Sequence, residues 1–426
     1  VVLALTGVPA IAQSPSQAEL AARLDKLAAE LAAVKAELAR LQQQQAQAAT
    51  APSPAAPAVA AAPAPAASAV AAAPTPSAEP STVLSSYGEL TYNRPTSDPK
   101  NAVADVRRFV LGYQHRFDEK TKVVTELEVE HAVSSADDPG EVEVEQAYIE
   151  RQVGAGLAVR AGLMLVPIGL INENHEPTAF YGVERPFVET AIIPSTWREG
   201  GIQLVANLDN GLTLQGGITT GFDLGKWDAN STEGAESPLG SIHQELALAK
   251  ARDLSVFGAV NWRGVPGLLL GGSIFTGGAS HGQLPSSSRV TIWDLHARYN
   301  PGRLDLSALY TRGTISNTAA FNAPLVGSPT LVPESFDGWY GQAAYKIWSN
   351  ADYSLAPFVR LEQFNTARSY ADLGPGLTPE TARTEQVTTF GTNFMIGSGV
   401  VLKADYQWFR EAKDSNRLNL GLGWNF

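Results

Sequence analysis

The last ten residues, Arg417 to Phe426, alternate without a break. Leu418, Leu420, Leu422, Trp424 and Phe426 fall on one face of a β-strand; Arg417, Asn419, Gly421, Gly423 and Asn425 fall on the other. Successive strand side chains point to opposite faces, so one face is wholly apolar and the other small or polar. That division suits a strand between lipid and a watery interior. It recurs upstream. Val400, Leu402, Ala404, Tyr406 and Trp408 oppose Val401, Lys403, Asp405, Gln407 and Phe409, and Leu304, Leu306, Ala308 and Tyr310 oppose Asp305, Ser307, Leu309 and Thr311. After the first dozen residues no apolar run approaches the ~18 residues that a membrane-spanning helix requires. A soluble sandwich also alternates, but it does not end its strands in aromatics on the solvent side. Tyr92, Trp293, Tyr310 and Trp408 near one set of ends, and Phe117, Tyr299 and Trp424 near the other, read as two interfacial girdles.

The connections sharpen this reading. Seven are tight and turn-like: Asp118-Glu119-Lys120, Gly154-Ala155-Gly156, Asp209-Asn210-Gly211, Gly264-Val265-Pro266-Gly267, Asn300-Pro301-Gly302, Ser349-Asn350-Ala351 and Gly397-Ser398-Gly399. Between them lie mostly longer ones, notably 167–200, 222–253, 313–335 and 366–384. Short turns on one rim and long loops on the other is the arrangement of outer-membrane barrels. Residues 84–426 are therefore expected to form an all-β, antiparallel transmembrane barrel of about 16 strands, whose chain ends both lie on the short-turn, periplasmic side. The terminal Phe426 fits the strand signal read by the barrel-insertion machinery.

Three segments precede the barrel. Residues 1–12 are apolar, too short to span, and close on Ala10-Ile11-Ala12, as the remnant of a secretory signal does. Residues 13–45 predict a helix. Ser14-Pro15-Ser16-Gln17 and Ser16-Gln17-Ala18-Glu19 fit a capping box, and Leu20, Leu24, Leu27, Leu31, Val34, Leu38 and Leu41 form the 4-3 seam of a coiled coil between subunits, two- or three-stranded. Residues 46–83 are Ala- and Pro-rich, with eight prolines from Pro52 to Pro80, and predict an extended tether. On this reading the N-terminal segment lies in the periplasm, with peptidoglycan a partner within its reach.

The chain has no cysteine, which removes disulfides, thiolate metal sites and a cysteine nucleophile. A net charge of −12 without a basic block argues against nucleic acid. Residues 1–83 hold five acids and four bases, so the negative excess belongs to the barrel. No nucleophile elbow, phosphate loop or HExxH helix is present, and neither a cofactor nor an enzymatic role is expected. His175 between Glu173 and Glu176 reads as a solvated loop rather than a metal site.

The stretch 167–200 is too apolar and aromatic to stand free in water. Phe180, Tyr181, Phe187, Ile192, Ile193 and Trp197 need a surface to pack on. An outer cap or a subunit contact would serve; the reading adopted is a loop folded into the barrel, with Glu184, Arg185, Glu189 and Arg198 beside the water path. Alternation places Arg108, Arg116, Arg160, Arg298, Arg360, Lys403 and Arg417 on the inner wall, against Glu126, Glu128, Glu130, Asp294, Asp305, Glu362 and Asp405.

The run Ala161 to Gly169, with Asn172 to Pro177 and Tyr181 to Pro186, resembles the phosphate-selective porin O and P family, as does the strand around Arg107-Arg108-Phe109. The likeness covers most of residues 85–426. It implies a homotrimeric porin of 16 strands in the outer membrane, its third loop narrowing each pore. The mixed wall suits passive diffusion of small hydrophilic solutes or ions. A phosphate or anion channel is the first alternative, and a tether between outer membrane and cell wall the second.

Overall fold

The computed structural model describes Arg40 and residues 81–426. The signal remnant, the coiled-coil seam and nearly all of the linker lie outside the described residues. The chain divides into two units, Val1–Ser77 and Ala78–Phe426, and the second is the barrel. Its strands are β1 (Thr82–Pro95), β2 (Val103–Arg116), β3 (Thr121–Glu130), β4 (Val142–Gly154), β5 (Leu157–Leu165), β6 (Arg198–Asn207), β7 (Leu212–Thr219), β8 (Ser255–Trp262) and β9 (Leu268–Gly278). There follow β10 (Arg289–Tyr299), β11 (Leu304–Ile315), β12 (Ser335–Tyr345), the two-residue β13 (Trp348–Ser349), β14 (Tyr353–Ser369), β15 (Glu385–Ile396), β16 (Val400–Phe409) and β17 (Arg417–Asn425). β13 belongs to a turn, which leaves sixteen long strands. The first strand begins at Thr82, slightly ahead of the expected boundary.

Each long strand pairs antiparallel with its neighbours in sequence, and β1 pairs with β17 to close the sheet. Tyr87 lies opposite Asn425, and beyond it Ser86 and Phe426 exchange backbone N–H···O bonds of 3.1 and 2.9 Å. Closure leaves no edge to template aggregation. The seven short connections fall at the seven expected turns. Two of them depend on glycine: Gly156 (φ +66°) and Gly211 (φ +80°) take left-handed backbone, and a Cβ on either would strike backbone of the adjoining turn.

Alternation holds in burial. On β16 and β17, Leu402, Trp408, Leu418, Leu420 and Leu422 are exposed, while Val401, Lys403, Asp405, Gln407 and Asn419 are buried. The outer faces form an exposed apolar band. What fills the inside is uneven. Loops 166–197, 220–254 and 316–334 turn inward and pack on the inner faces of β8 to β12, where Ile168, Val188, Ile192, Trp197, Phe222, Leu224, Leu239, Phe275, Ile292, Val332 and Phe336 form one apolar core. Full burial of such a side chain stabilises by roughly 1.5–3 kcal/mol. Toward the long-loop rim this side of the barrel is thus packed like a soluble protein.

Candidate functional site

The third long loop, residues 166–197, crosses the lumen and is fastened to the wall on several sides. Its first turn is held where Gly169 N–H donates to Asp294 Oδ2 (3.1 Å), and Gln215 Nε2 donates to Glu173 (3.2 Å). His175 meets the far wall, 2.8 Å from the Tyr87 hydroxyl and 3.0 Å from Glu145. The middle rests on β14 to β17. Val183 N–H donates to Asp405 Oδ2 (2.6 Å), Asn393 Nδ2 donates to Phe180 O (3.0 Å), and Arg360 donates to Tyr181 O (3.0 Å) and Glu184 O (3.2 Å). Lys403 Nζ lies 3.5 Å from the centre of the Phe180 ring, a cation–π contact. The end is bound by Glu189, which accepts from the Tyr340 hydroxyl (2.6 Å) and from Leu170 and Ile171 N–H (2.8 Å each).

Room for the loop is built into β17. A Cβ on Gly423 would come 2.5 Å from Pro177, and one on Gly421 3.3 Å from Val183. The small inner-face residues that read simply as lumen-facing in sequence are the floor under this loop.

Two β-bulges add charge. Pairing of β1 with β2 slips between Glu89 and Leu90, leaving Arg107 as the extra residue beside Arg108. Pairing of β3 with β4 slips between Glu126 and Leu127, leaving Glu145 extra beside Gln146. A bulge lets consecutive side chains share a face. Arg108 Nε and Nη1 each lie 2.9 Å from a carboxylate oxygen, of Glu89 and Glu128 respectively, and Nη2 is 3.7 Å from Glu130.

Two cavities flank the loop. The larger, about 660 Å³, lies toward the short-turn rim and is lined by Glu173, Asn174, Tyr181, Arg263, Arg298 and Gln342 among others. The smaller, about 310 Å³, faces the long-loop rim, with Arg107, Arg108 and Arg185 set against Glu89, Glu130 and Glu184. Arg185 is 6% exposed and makes no ion pair among the described residues. It donates to Ser195 Oγ and to His175 O (3.1 Å), and its Nε has no partner. Burial, then the neighbouring Arg108, pushes its guanidinium below its ordinary value. At Glu184 burial works to raise the carboxyl. Arg107, Arg417 and the Asn93 amide, 2.8 Å away, outweigh it and hold the group below the usual carboxylate range. Burial raises Glu189, against the hydrogen bonds it accepts.

Several sequence expectations are corrected. Glu189 and Arg198 do not border water; both are buried, Glu189 behind the loop and Arg198 in ion pairs with Glu143 and with Glu245 (3.0 Å). Arg360, Glu362, Lys403 and Asp405 are on the inner face but buried, because the loop lies over them, and Glu128 is buried in its ion pair with Arg108. His175 is not solvated: it is 4% exposed, and since Asn172 O can only accept, its Nδ1 carries the proton of that 2.8 Å bond. Glu184, Arg185, Arg108 and Glu130 come together at the smaller cavity. Glu126 sits deeper, bonded by Gln146, Arg160 pairs with Glu150 (2.8 Å), and Arg116 is exposed at the short-turn end of β2. Sequence reasoning missed Tyr87, Glu89, Arg107 and Glu145. Alternation counted along β1 would have found the first two; the bulges hide the others.

The family model described as "Putative beta-barrel porin-2, OmpL-like" matches residues 125–422. An uncharacterized protein of Aquifex aeolicus (strain VF5) is 27% identical over 355 residues, which is 80% of this chain and 79% of that one. OmpF of Salmonella typhi, solved with daunomycin, superposes with a TM-score of 0.55 at 12% identity, over 81% of this chain and 97% of its own. An anion-selective porin of Comamonas acidovorans gives 0.52 at 12%, over 81% and 99%. The outer membrane channel DcaP of Acinetobacter baumannii gives 0.51 at 13%, over 81% and 97%. These three likenesses are of fold. The family match runs from β3 into β17, well over half of the chain, and the chain belongs to the OmpL-like beta-barrel porins, channels of the outer membrane.

Proposed function

We propose that the barrel admits small hydrophilic solutes and ions by passive diffusion past the tucked third loop, in a homotrimer of such pores. The observation that carries this is the smaller cavity, where three guanidinium groups face three carboxylates. Opposed charges set a field across the path and leave little net potential along it, so width selects more strongly than sign. Purified protein in planar bilayers should give ohmic steps and a small reversal potential in a tenfold salt gradient. A pore that is almost perfectly selective for either sign would overturn the reading.

Anion or phosphate selectivity is the second reading, favoured by Arg185, a buried cation with an idle Nε at the same cavity, and by the motif of residues 161–186. The fold neighbour from Comamonas acidovorans is an anion-selective porin. Block of the chloride current by micromolar phosphate would establish this reading in place of the first.

A further inference from the structure

Exposed aromatic rings are distributed unevenly around the barrel. Phe109, Tyr113 and Phe117 stand on and after β2, and Tyr299, Trp339, Tyr345, Trp348, Tyr353, Phe390, Trp408 and Phe426 lie from β10 to the end. Residues 121–278, which hold β3 to β9, expose no aromatic ring among the described residues. The outward-pointing ring in that stretch, Trp262, is half-buried at the short-turn end of β8, close over Gly264. The same outer wall is smooth: Ala147, Ala161, Ala206, Gly216, Gly258 and Gly272 alternate with exposed branched aliphatics such as Ile149, Ile202, Ile218 and Val256.

A barrel wall in lipid carries aromatic girdles at both headgroup levels. A wall of small and branched side chains without girdles suits close approach of another protein surface. The inner face does not explain the difference, since the missing rings concern side chains that point outward.

A second observation falls on the same sector. Residues 244–250 of the loop between β7 and β8 form a tip closed on itself: Lys250 N–H donates to Gln244 Oε1 (2.7 Å), and Gln244 Nε2 donates to Gly221 O (2.6 Å). Glu245, Leu246 and Leu248 are held at φ +52°, +59° and +53°, left-handed backbone without glycine. Such residues are strained and collect at functional contacts. Leu246 lies against β6, where a Cβ on Gly200 would come 2.4 Å from its methyl group, and Leu248 is fully exposed. Beside them Leu163 and Leu165 are covered, whereas Ile202 and Leu204 below are open.

We infer that the outer wall of β3 to β9, with the Leu246–Leu248 tip at its upper edge, is the surface by which this chain docks on a second copy of itself. Seven strands ~4.8 Å apart, over an apolar band ~25 Å tall, present on the order of 700 Å² of flat wall. That is close to the ~800 Å² per partner of a stable protein contact, and side-chain relief adds to it. The exposed leucines then enter a protein surface, and the girdles are kept where lipid remains. This assigns the contact face; it does not depend on what the pore conducts.

The chain has no cysteine, so single labels are unambiguous. Leu204→Cys on β6 and Leu402→Cys on β16 replace side chains that are 47% and 42% exposed in one copy, at similar distances from the short-turn rim. A fluorophore on each, in purified protein reconstituted with lipids brominated on their acyl chains, reports contact with lipid. The inference expects quenching at position 204 several-fold weaker than at 402, and a bifunctional thiol reagent at Leu248→Cys to link copies into dimers or trimers. Equal quenching at 204 and 402 overturns the inference. Absence of a link at 248 removes the tip from the contact. Single-channel conductance of the same variants shows separately whether the pore reading stands.

Discussion

Single residues at the third loop carry opposite tasks, and their surroundings decide which. Glu184 and Glu189 are five positions apart, yet the first faces a cavity among cations and the second is sealed behind the loop. Because Arg107 and Arg417 more than offset burial at Glu184, its charge persists as pH falls from 7 to 5, and this residue is expected to leave ion preference unchanged over that range. Its own contribution to a drift toward anions begins only below the ordinary glutamate value of ~4.3. Glu184→Gln should bring that drift to neutral pH. One charge acting on an ion ~4 Å away in water-like surroundings is worth about 1 kcal/mol, so reversal potentials should show at most about a five-fold change in permeability ratio. No change would mean the ion path avoids Glu184. Gly423→Leu tests the loop from beneath. The new side chain meets Pro177 and the loop must lift, so conductance is expected to rise while the barrel still assembles. None of this contact was legible in the sequence, since a glycine on an inner face looks the same under water as under a loop.

At the scale of elements, strands and loop follow different rules. The strands were readable because period-two alternation is local and the turn residues are conformationally specific. Leu420→Arg should therefore block assembly, at a cost of roughly 2–4 kcal/mol for a cation on the lipid face near the midplane. Loss of heat-modifiable gel mobility would show it, and normal insertion would mean that this face of β17 is not in lipid. The third loop obeys no period. Its apolar content announced that it needed a surface, but the surface is assembled from Asp294, Tyr87, Arg360, Asn393 and Asp405 on five different strands. Deleting residues 173–194 removes most of these bonds together with the constriction. Single-channel conductance is expected to increase, and unchanged conductance in a folded barrel would place the narrowest point elsewhere.

The whole molecule is closed by its two end strands, β1 and β17, whose pairing joins residues more than three hundred positions apart. Contacts of such separation form slowly, because loop-closure entropy is lost before they stabilise anything. The last link is the pair of bonds between Ser86 and Phe426. Removing Phe426 should lower the stability of the folded barrel by about 1–3 kcal/mol, at 0.5–1.5 kcal/mol per hydrogen bond. The denaturant midpoint of the heat-modifiable form measures it, and an unmoved midpoint would show that the seam is closed without this residue. Closure also sets the interior, since the loops from β5, β7 and β11 meet only once the wall is complete.

The sequence by itself determined the class of fold, the order and number of the long strands, the rim on which the loops lie and, bulges aside, the face of each strand that points outward. Those properties follow from the two-residue pleat and from turn chemistry, and both act within a few residues of chain. Only the tertiary structure decided which inner charges border water. Arg360, Lys403 and Asp405 sit at inner-wall positions and are covered. Arg107 and Glu145 occupy slips in the pairing that alternation does not register. The physical reason is distance along the chain. Val183 finds Asp405 across 222 positions, and a contact of that kind exists only after sixteen strands have closed around it.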